Sequence, residues 1–170
     1  MTEELIAQMS TNKVLVSILE TLGSVKVPTL TFLDAANQDK ELVIKSLLKY
    51  GSEKIILGAD FLENTIKING WITQTGIDLF DFISEFYDIG LRYVIATDIS
   101  KDGVMKGPSH ETYAKILKLF PNLKLIASDG ISIEDDFQKL AKIGCYGAIT
   151  GKAIYEKSIN LKNTIIKYGS

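Results

Sequence analysis

Residues that can do acid–base or anion-binding chemistry follow four apolar runs of the sequence. The four polar segments are Gly58-Ala59-Asp60, Thr97-Asp98-Ile99-Ser100-Lys101-Asp102-Gly103, Ser128-Asp129-Gly130-Ile131-Ser132 and Thr150-Gly151-Lys152-Ala153. Parallel α/β folds bind ligands beyond the carboxyl ends of their strands, so we expect these segments to gather on one rim. The sequence contains no cluster with metal-ligand spacing, and no metal site is predicted.

Several of these residues have more than one interpretation when taken singly. Asp60 can act as a general acid or base, or cap a turn. Thr97 can hydrogen-bond a substrate or its own backbone, and Lys101-Asp102-Gly103 can be an ordinary turn. Trp71, in Asn69-Gly70-Trp71, can stack on a planar ligand, close a hydrophobic lid or pack against the fold.

The last two polar segments are more specific as a pair. Small residues and glycines followed by helix starts expose backbone N–H groups to an anion. Two such loops after adjacent late strands are typical of the phosphate site of a barrel. We therefore expect these two loops to bind a phosphorylated small molecule.

Five short apolar runs predict the strands that position the rim: 29–33, 54–58, 93–97, 124–127 and 147–150. They do not alternate apolar with polar residues, which indicates strands buried on both faces. Helical spacing lies between them, in faces formed by Leu79, Phe82, Ile83 and Phe86, by Tyr113, Ile116, Leu117 and Phe120, and by Phe137, Leu140, Ala141 and Gly144. The predicted N-caps are Asp78, Ser109 and Ser132, and the predicted helix stops are Gly90, Pro121 and Gly144.

Strands that alternate with helices predict a parallel sheet with right-handed crossovers. An eight-unit barrel needs about 250 residues, whereas the chain has 170. We expect a partial (half) TIM-barrel-like sheet of about five βα units over residues 29–170, preceded by a helical segment over residues 1–28. A flavodoxin-like α/β sandwich is the alternative, because a half-barrel sheet can flatten once its closing partner is gone.

Composition excludes several classes of protein. The formal net charge is −2, which argues against a nucleic-acid-binding protein. The lone Cys145 excludes an internal disulfide and indicates a reducing compartment. No apolar run approaches the ~20 residues of a membrane helix, and the N-terminus lacks a signal-peptide pattern. A cytoplasmic location without membrane or nucleic-acid partners is therefore expected.

Together, the motifs resemble a known enzyme family. Residues 54–162 resemble the C-terminal half of the histidine-biosynthesis isomerase that acts on a phosphoribosylformimino aminoimidazole carboxamide ribotide. The resemblance is carried by KIILGAD, NGW, YVIATDISKDGVMKGPS, PNLKLIASDGIS and GKAIYE. Residues 29–51 resemble that family's fourth strand and helix only weakly, and residues 1–28 resemble nothing in it.

The resemblance implies a TIM barrel that performs an Amadori rearrangement of an aminoaldose to an aminoketose without metal or organic cofactor. It places the general acid on Asp60 and an assisting hydroxyl on Thr97. The implied substrate-binding residues are Gly70, Trp71, Asp102, Gly103, Ser128, Asp129, Gly130, Gly151 and Lys152, the last five at a phosphate.

Two departures from the family pattern bear on activity. The family's general base ends a first strand that this chain lacks, so activity is expected to be impaired, with Asp34 as the first substitute base. Asp129 replaces a glycine beside the phosphate, where its charge and side chain oppose binding. A non-catalytic half-barrel fragment or chimera, acting as a scaffold or weak phosphate binder, is the alternative function. Open strand edges predict a homodimer or a partner half-barrel.

Overall fold

The structure, a computed structural model, describes residues 31–34, 40–68 and 70–168. The helical segment predicted over residues 1–28 lies outside this part of the chain. Its strands are β1 (Thr31–Asp34), β2 (Ile55–Leu62), β3 (Thr65–Ile68), β4 (Thr73–Asp78), β5 (Tyr93–Asp98), β6 (Lys124–Ser128) and β7 (Gly147–Ile149). Its α-helices are α1 (Lys40–Tyr50), α2 (Leu79–Asp88), α3 (His110–Leu119), α4 (Glu134–Ile143), α5 (Lys152–Tyr155) and α6 (Leu161–Tyr168). None of these helices is long and apolar enough to cross a bilayer.

All seven described strands belong to one sheet. Five of them are parallel and lie in the order β1, β2, β5, β6, β7. Strands β3 and β4 form an antiparallel hairpin that continues from the carboxyl end of β2. The five parallel strands coincide with the five predicted apolar runs, and the prediction of a parallel sheet is confirmed.

The two faces of the sheet differ in what covers them. On the outer face, Leu57, Val94 and Leu125 lie in register and are buried in a large core. That core includes residues from the described helices, such as Leu79, Ile83, Tyr113, Ile116 and Leu140. Burying each Leu or Ile is worth about 1.5–3 kcal/mol, so the outer core contributes most of the stability. The inner face carries a smaller cluster of Ile56, Tyr93 and Ile95, with Ile126 and Ile149 against it.

This difference decides between the two expected folds. The residues that the described helices contribute to buried clusters all belong to the outer core. A flavodoxin-like sandwich has helices on both faces of its sheet, whereas the described helices pack on one face, so the described part of the chain has the arrangement of a partial barrel. Among the described strands, β1 and β7 do not pair with each other. The sheet is therefore an open part of a barrel.

The β3–β4 hairpin was not predicted from the sequence. Leu62 pairs with Thr65 across a two-residue turn, in which Glu63 and Asn64 have φ of 51° and 59°. Two positive φ values at the central positions are typical of a type I′ turn, whose usual signal is Asn-Gly or Asp-Gly. This turn joins β2 to β3, and it lacks that signal. The connection between β3 and β4 does contain Asn69-Gly70, but β4 is almost entirely exposed, so no apolar run marks it.

Helix ends follow the prediction only in part. Asp78 accepts hydrogen bonds from the backbone N–H groups of Phe80 and Asp81 and caps α2 as predicted. Ser109 precedes α3 but makes no capping bond, because its hydroxyl donates to Asp98 instead. At α4 the capping residue is Ile133, not Ser132, and the carboxylate of Asp136 accepts the N–H groups of both residues.

A polar cluster occupies the amino-terminal end of the inner face. The Tyr93 hydroxyl donates to Glu53 Oε2 over 2.9 Å, and Lys124 Nζ lies 2.9 Å from the same oxygen and 2.6 Å from the tyrosine oxygen. The ammonium also lies 4.5 Å from the Tyr93 ring centroid. This cluster joins β5, β6 and the turn before β2 at the end of the sheet opposite the polar rim.

Candidate functional site

Polar side chains form a row across the carboxyl end of the inner face. Asp60 pairs with Thr97, Thr97 with Ser128 and Ser128 with Ile149, in successive parallel strands. Since side chains alternate between faces along a strand, residues paired in this way share a face. The row brings together the two predicted catalytic residues and the start of the first predicted phosphate loop.

A cleft of about 490 Å³ opens above this row. Ten of the eleven predicted site residues line it: Asp60, Trp71, Thr97, Asp102, Gly103, Ser128, Asp129, Gly130, Gly151 and Lys152. Gly70 lies outside the lining, and its φ of 63° serves the turn that presents Trp71. The expectation that the four polar segments gather on one rim agrees with this geometry.

Trp71 contacts the carboxylate of Asp60 directly. Its indole Nε1–H donates to Asp60 Oδ2 over 2.7 Å. The residue lies between β3 and β4, has a φ of 73° and is 40% exposed. The sequence analysis considered stacking, a lid or packing for Trp71 and missed this hydrogen bond, since the exposed strand β4 has no apolar run and the hairpin that carries the indole to Asp60 was not predicted.

The loop after β6 approaches its neighbours closely. Gly130 has a φ of 79°, and a Cβ placed there would lie 2.7 Å from the carbonyl oxygen of Gly107. Asp129 has a φ of 72°, in a region that L-residues other than Asn and Asp seldom adopt. A glycine at position 129 would adopt this backbone without penalty.

Asp129 lies among other acidic groups. Burial and then the charge of Asp102 raise the pKa of Asp129 to about 6, and the charge of Asp60 adds to this effect. A hydrogen bond from the Ser128 hydroxyl, at 3.4 Å, acts in the opposite direction. The Asp129 carboxyl is therefore largely ionised at neutral pH and protonated below about pH 6.

Lys152 reaches across the cleft from the start of α5. Its Nζ donates to the carbonyl oxygen of Gly103 over 2.7 Å. This bond joins the loop after β7 to the loop after β5, so the cation lies at the cleft wall.

Sequence reasoning missed Tyr113 as a support of the site. Its buried hydroxyl lies 3.1 Å from the carbonyl oxygens of both Ala96 and Ser128. Burial raises the pKa of this phenol above its usual range, so the hydroxyl stays protonated and can donate. Tyr113 thus holds the ends of β5 and β6 together beneath Thr97. The helical spacing placed it in the core, and only the register shows its second role.

The known proteins that this chain resembles are isomerases. It is 49% identical over 127 residues to a protein of Flavobacterium johnsoniae, covering 75% of this chain and 53% of that relative. A Bacteroides thetaiotaomicron protein is 48% identical over 128 residues, or 75% of this chain and 54% of the relative. A Thermoanaerobacter protein is 39% identical over 147 residues, which cover 86% of this chain and 61% of that relative. All three are named as isomerases of an imidazole-4-carboxamide carrying two phosphoribosyl groups.

The chain spans little more than half the length of the first two relatives. The histidine biosynthesis protein family matches residues 16–160. This match includes residues 16–28, where the sequence analysis found no resemblance, and residues 29–51, where it found only a weak one. With that match and the identities above, the chain belongs to the histidine biosynthesis protein family.

Proposed function

We propose that this chain carries the acid half of an aldose–ketose isomerase site that acts on a phosphoribosyl substrate. The observation that supports this most is the row of Asp60, Thr97 and Ser128 beneath one cleft. The names of the relatives supply the class of reaction and the phosphoribosyl groups.

Asp60 serves as the general acid in this proposal. Opening the ribose ring of an aminoaldose needs a proton on the ring oxygen as its bond to C1 breaks, while the nitrogen lone pair forms an iminium with C1. Removal of the C2 proton then gives an enaminol. Protonation at C1, with loss of the proton from the C2 hydroxyl as the C2 carbonyl forms, gives the aminoketose with no net oxidation and no net change in protons. The Trp71 indole fixes the orientation of the Asp60 carboxyl, and Thr97, only 7% exposed, lies beside it.

The two loops beyond β6 and β7 bind a phosphate in this proposal. Gly130 and Gly151 line the cleft and leave room for backbone N–H groups to approach an anion. Lys152 supplies a cation at the same wall. Asp102 and Gly103, from the loop after β5, order the sugar between the phosphate and Asp60.

In this proposal, the general base comes from elsewhere than the residues described around Asp60, because the family's base ends a first strand. Asp34 ends β1, and its register places it opposite Gly58, two residues before Asp60 in β2. This makes Asp34 the first candidate within the chain. The family's own base ends a first strand, however, and five strands of an eight-stranded barrel leave three to be supplied.

A separate polypeptide of three βα units would complete an eight-stranded barrel better than a second copy of this chain would. Two copies would bring about ten parallel strands together, against eight in a TIM barrel. Three units of about 31 residues each complete the count and would bring the first-strand base with them. A homodimer is the alternative assembly, since the described sheet has open edges at β1 and β7 and Ile126 and Ile149 are only partly buried.

The second candidate function is a non-catalytic phosphate-binding half-barrel in the cytoplasm. Asp129 favours it, because a carboxylate with positive φ stands where the family has glycine. Steady-state turnover of the aminoaldose ribotide distinguishes the two. We expect no detectable turnover by the chain alone, and turnover that depends on Asp60 once a three-unit segment is added. Phosphate binding without turnover in that mixture would favour the second function.

A further inference from the structure

Asp98 is a buried carboxylate that the proposed reaction does not use. It ends β5, directly after Thr97, and points to the opposite face of the sheet. It is 9% exposed and does not line the cleft. Its Oδ1 accepts the Ser100 N–H over 3.0 Å and the Ser100 hydroxyl over 2.7 Å, and its Oδ2 accepts the Ser109 hydroxyl.

These bonds hold both ends of one loop to a single side chain. Ser100 lies in the short 3-10 turn Ile99–Lys101 that opens the loop, and Ser109 is the last residue before α3. Ser109 makes no capping bond to α3. A serine at this position usually caps the helix, so here its hydroxyl serves the loop in place of the helix.

The loop between these ends forms one wall of the cleft. Asp102, Gly103 and Met105 line it. The Gly107 N–H donates to the carbonyl oxygen of Gly130 over 2.9 Å. Lys152 Nζ donates to the carbonyl oxygen of Gly103 over 2.7 Å. The position of this loop therefore sets where Asp102 lies relative to Asp129 and the two glycine loops.

We propose that Asp98 is a positioning residue, which holds the loop 99–109 so that Asp102 and Gly103 meet the sugar of the bound substrate. The proposal rests on the function proposed above, since it assigns the same cleft to a phosphoribosyl ligand. Asp98 acts through the loop and touches no ligand itself. Two observations support this inference. The buried carboxylate accepts three hydrogen bonds, and Ser109 donates its hydroxyl to that carboxylate and makes no capping bond to α3.

The first test needs no ligand. In Ser109→Ala and Asp98→Asn the loop should loosen and Asp102 should move away from Asp129. Titrating the labelled Asp129 carboxyl by ¹³C NMR should then show its pKa falling by at least about half a unit from the wild-type value. Asp78→Asn, which changes a helix-capping carboxylate outside the cleft, is the matched control and should leave Asp129 unchanged. Ser109→Ala is the milder variant and keeps the test decisive if Asp98→Asn does not fold.

The second test compares two ligands by calorimetry. Inorganic phosphate should bind both variants as it binds the wild type, because its contacts lie on the loops after β6 and β7. A phosphoribosyl imidazole-4-carboxamide should bind about tenfold more weakly, the equivalent of one lost hydrogen bond. An unchanged Asp129 titration in both variants would overturn the positioning role. If the wild type binds neither ligand, the proposed function fails, whereas the titration still decides the role of Asp98.

Discussion

At the scale of single residues, Asp129 is the position at which we expect a substitution to change anion binding most. Its charge, about 5 Å from a phosphate at an effective dielectric of ~20, would cost about 3 kcal/mol before screening. Salt and partial exposure reduce this to about 1–2 kcal/mol, or about tenfold in affinity. We therefore expect Asp129→Gly to bind phosphate about tenfold more tightly than the wild type at pH 7.5, as measured by calorimetry.

Asp129→Asn is the matched control because it removes the charge and keeps the size. If the charge of Asp129 is what weakens phosphate binding, Asp129→Asn should recover most of the affinity gained by Asp129→Gly. If the size of the side chain is what weakens binding, Asp129→Asn should bind phosphate as the wild type does. The pKa of Asp129 is raised to about 6, so the carboxyl loses its charge as the pH falls through that value. The advantage of either variant should then shrink by about pH 5, and an advantage that persists there would exclude the electrostatic explanation.

The hydrogen bond between Trp71 and Asp60 can be tested alone because Trp71 is the chain's single tryptophan. A carboxylate acceptor shifts the indole N–H resonance downfield and slows its exchange with solvent. In Asp60→Ala that resonance should move upfield and exchange faster in ¹⁵N-edited NMR spectra. Asp102→Ala, which removes another carboxylate from the cleft wall, should leave it in place. Equal shifts in both variants would show that the indole does not depend on Asp60.

At the scale of elements, the contact between the loop after β5 and the loop after β6 depends on Gly130. Gly130→Ala places a Cβ 2.7 Å from the Gly107 carbonyl oxygen, on a backbone with φ of 79°. We expect it to lower the free energy of unfolding by about 2–3 kcal/mol. Gly103→Ala has a φ of 63° with open space around the new Cβ, and should cost about 1 kcal/mol. Urea unfolding of both variants measures the difference, and equal losses would argue against the close contact.

Elements with a continuous apolar run could be predicted from the sequence, and elements without one could not. The five parallel strands are marked by apolar runs, and β2 and β5 are buried almost throughout. The antiparallel strands β3 and β4 were missed because the β2–β3 turn at Glu63-Asn64 lacks glycine and because β4, which follows Asn69-Gly70, is exposed and has no apolar run. Ser109 looks like a helix cap in sequence, and only the fold brings Asp98 close enough to take its hydroxyl. The same limit applies to Asp129, whose buried position beside Asp102 depends on two separate loops.

At the scale of the whole molecule, the open sheet leads to a prediction about assembly. Among the described strands, β1 and β7 each leave one edge unpaired, and Ile126 and Ile149 on the inner face are only partly buried. Both features favour self-association of the chain alone. We expect light scattering at tens of micromolar to show a dimer or larger species. Adding a segment of the first three βα units from the Flavobacterium johnsoniae relative should convert it to a one-to-one complex.

That complex should also gain isomerase turnover, and Asp60→Asn in this chain should remove it at unchanged mass. Loss of one member of an acid–base pair commonly costs about 10²–10⁴-fold in rate. A monodisperse monomer that does not bind the added segment would contradict the assembly prediction. Full turnover by the chain alone would show instead that the chain supplies its own base, and Asp34→Asn would then be the variant to examine.

The row of Asp60, Thr97 and Ser128 makes the site depend on whether the number of residues within each strand is odd or even. Deleting one residue early in β5 would leave the strand paired but turn Ala96 or Asp98 toward the cleft in place of Thr97. Length changes in the loops beyond the row carry no such penalty. We therefore expect relatives of this chain to differ in length in the loops, or by two residues within a strand, so that the rim can change its specificity while the same side chains of each strand face the cleft.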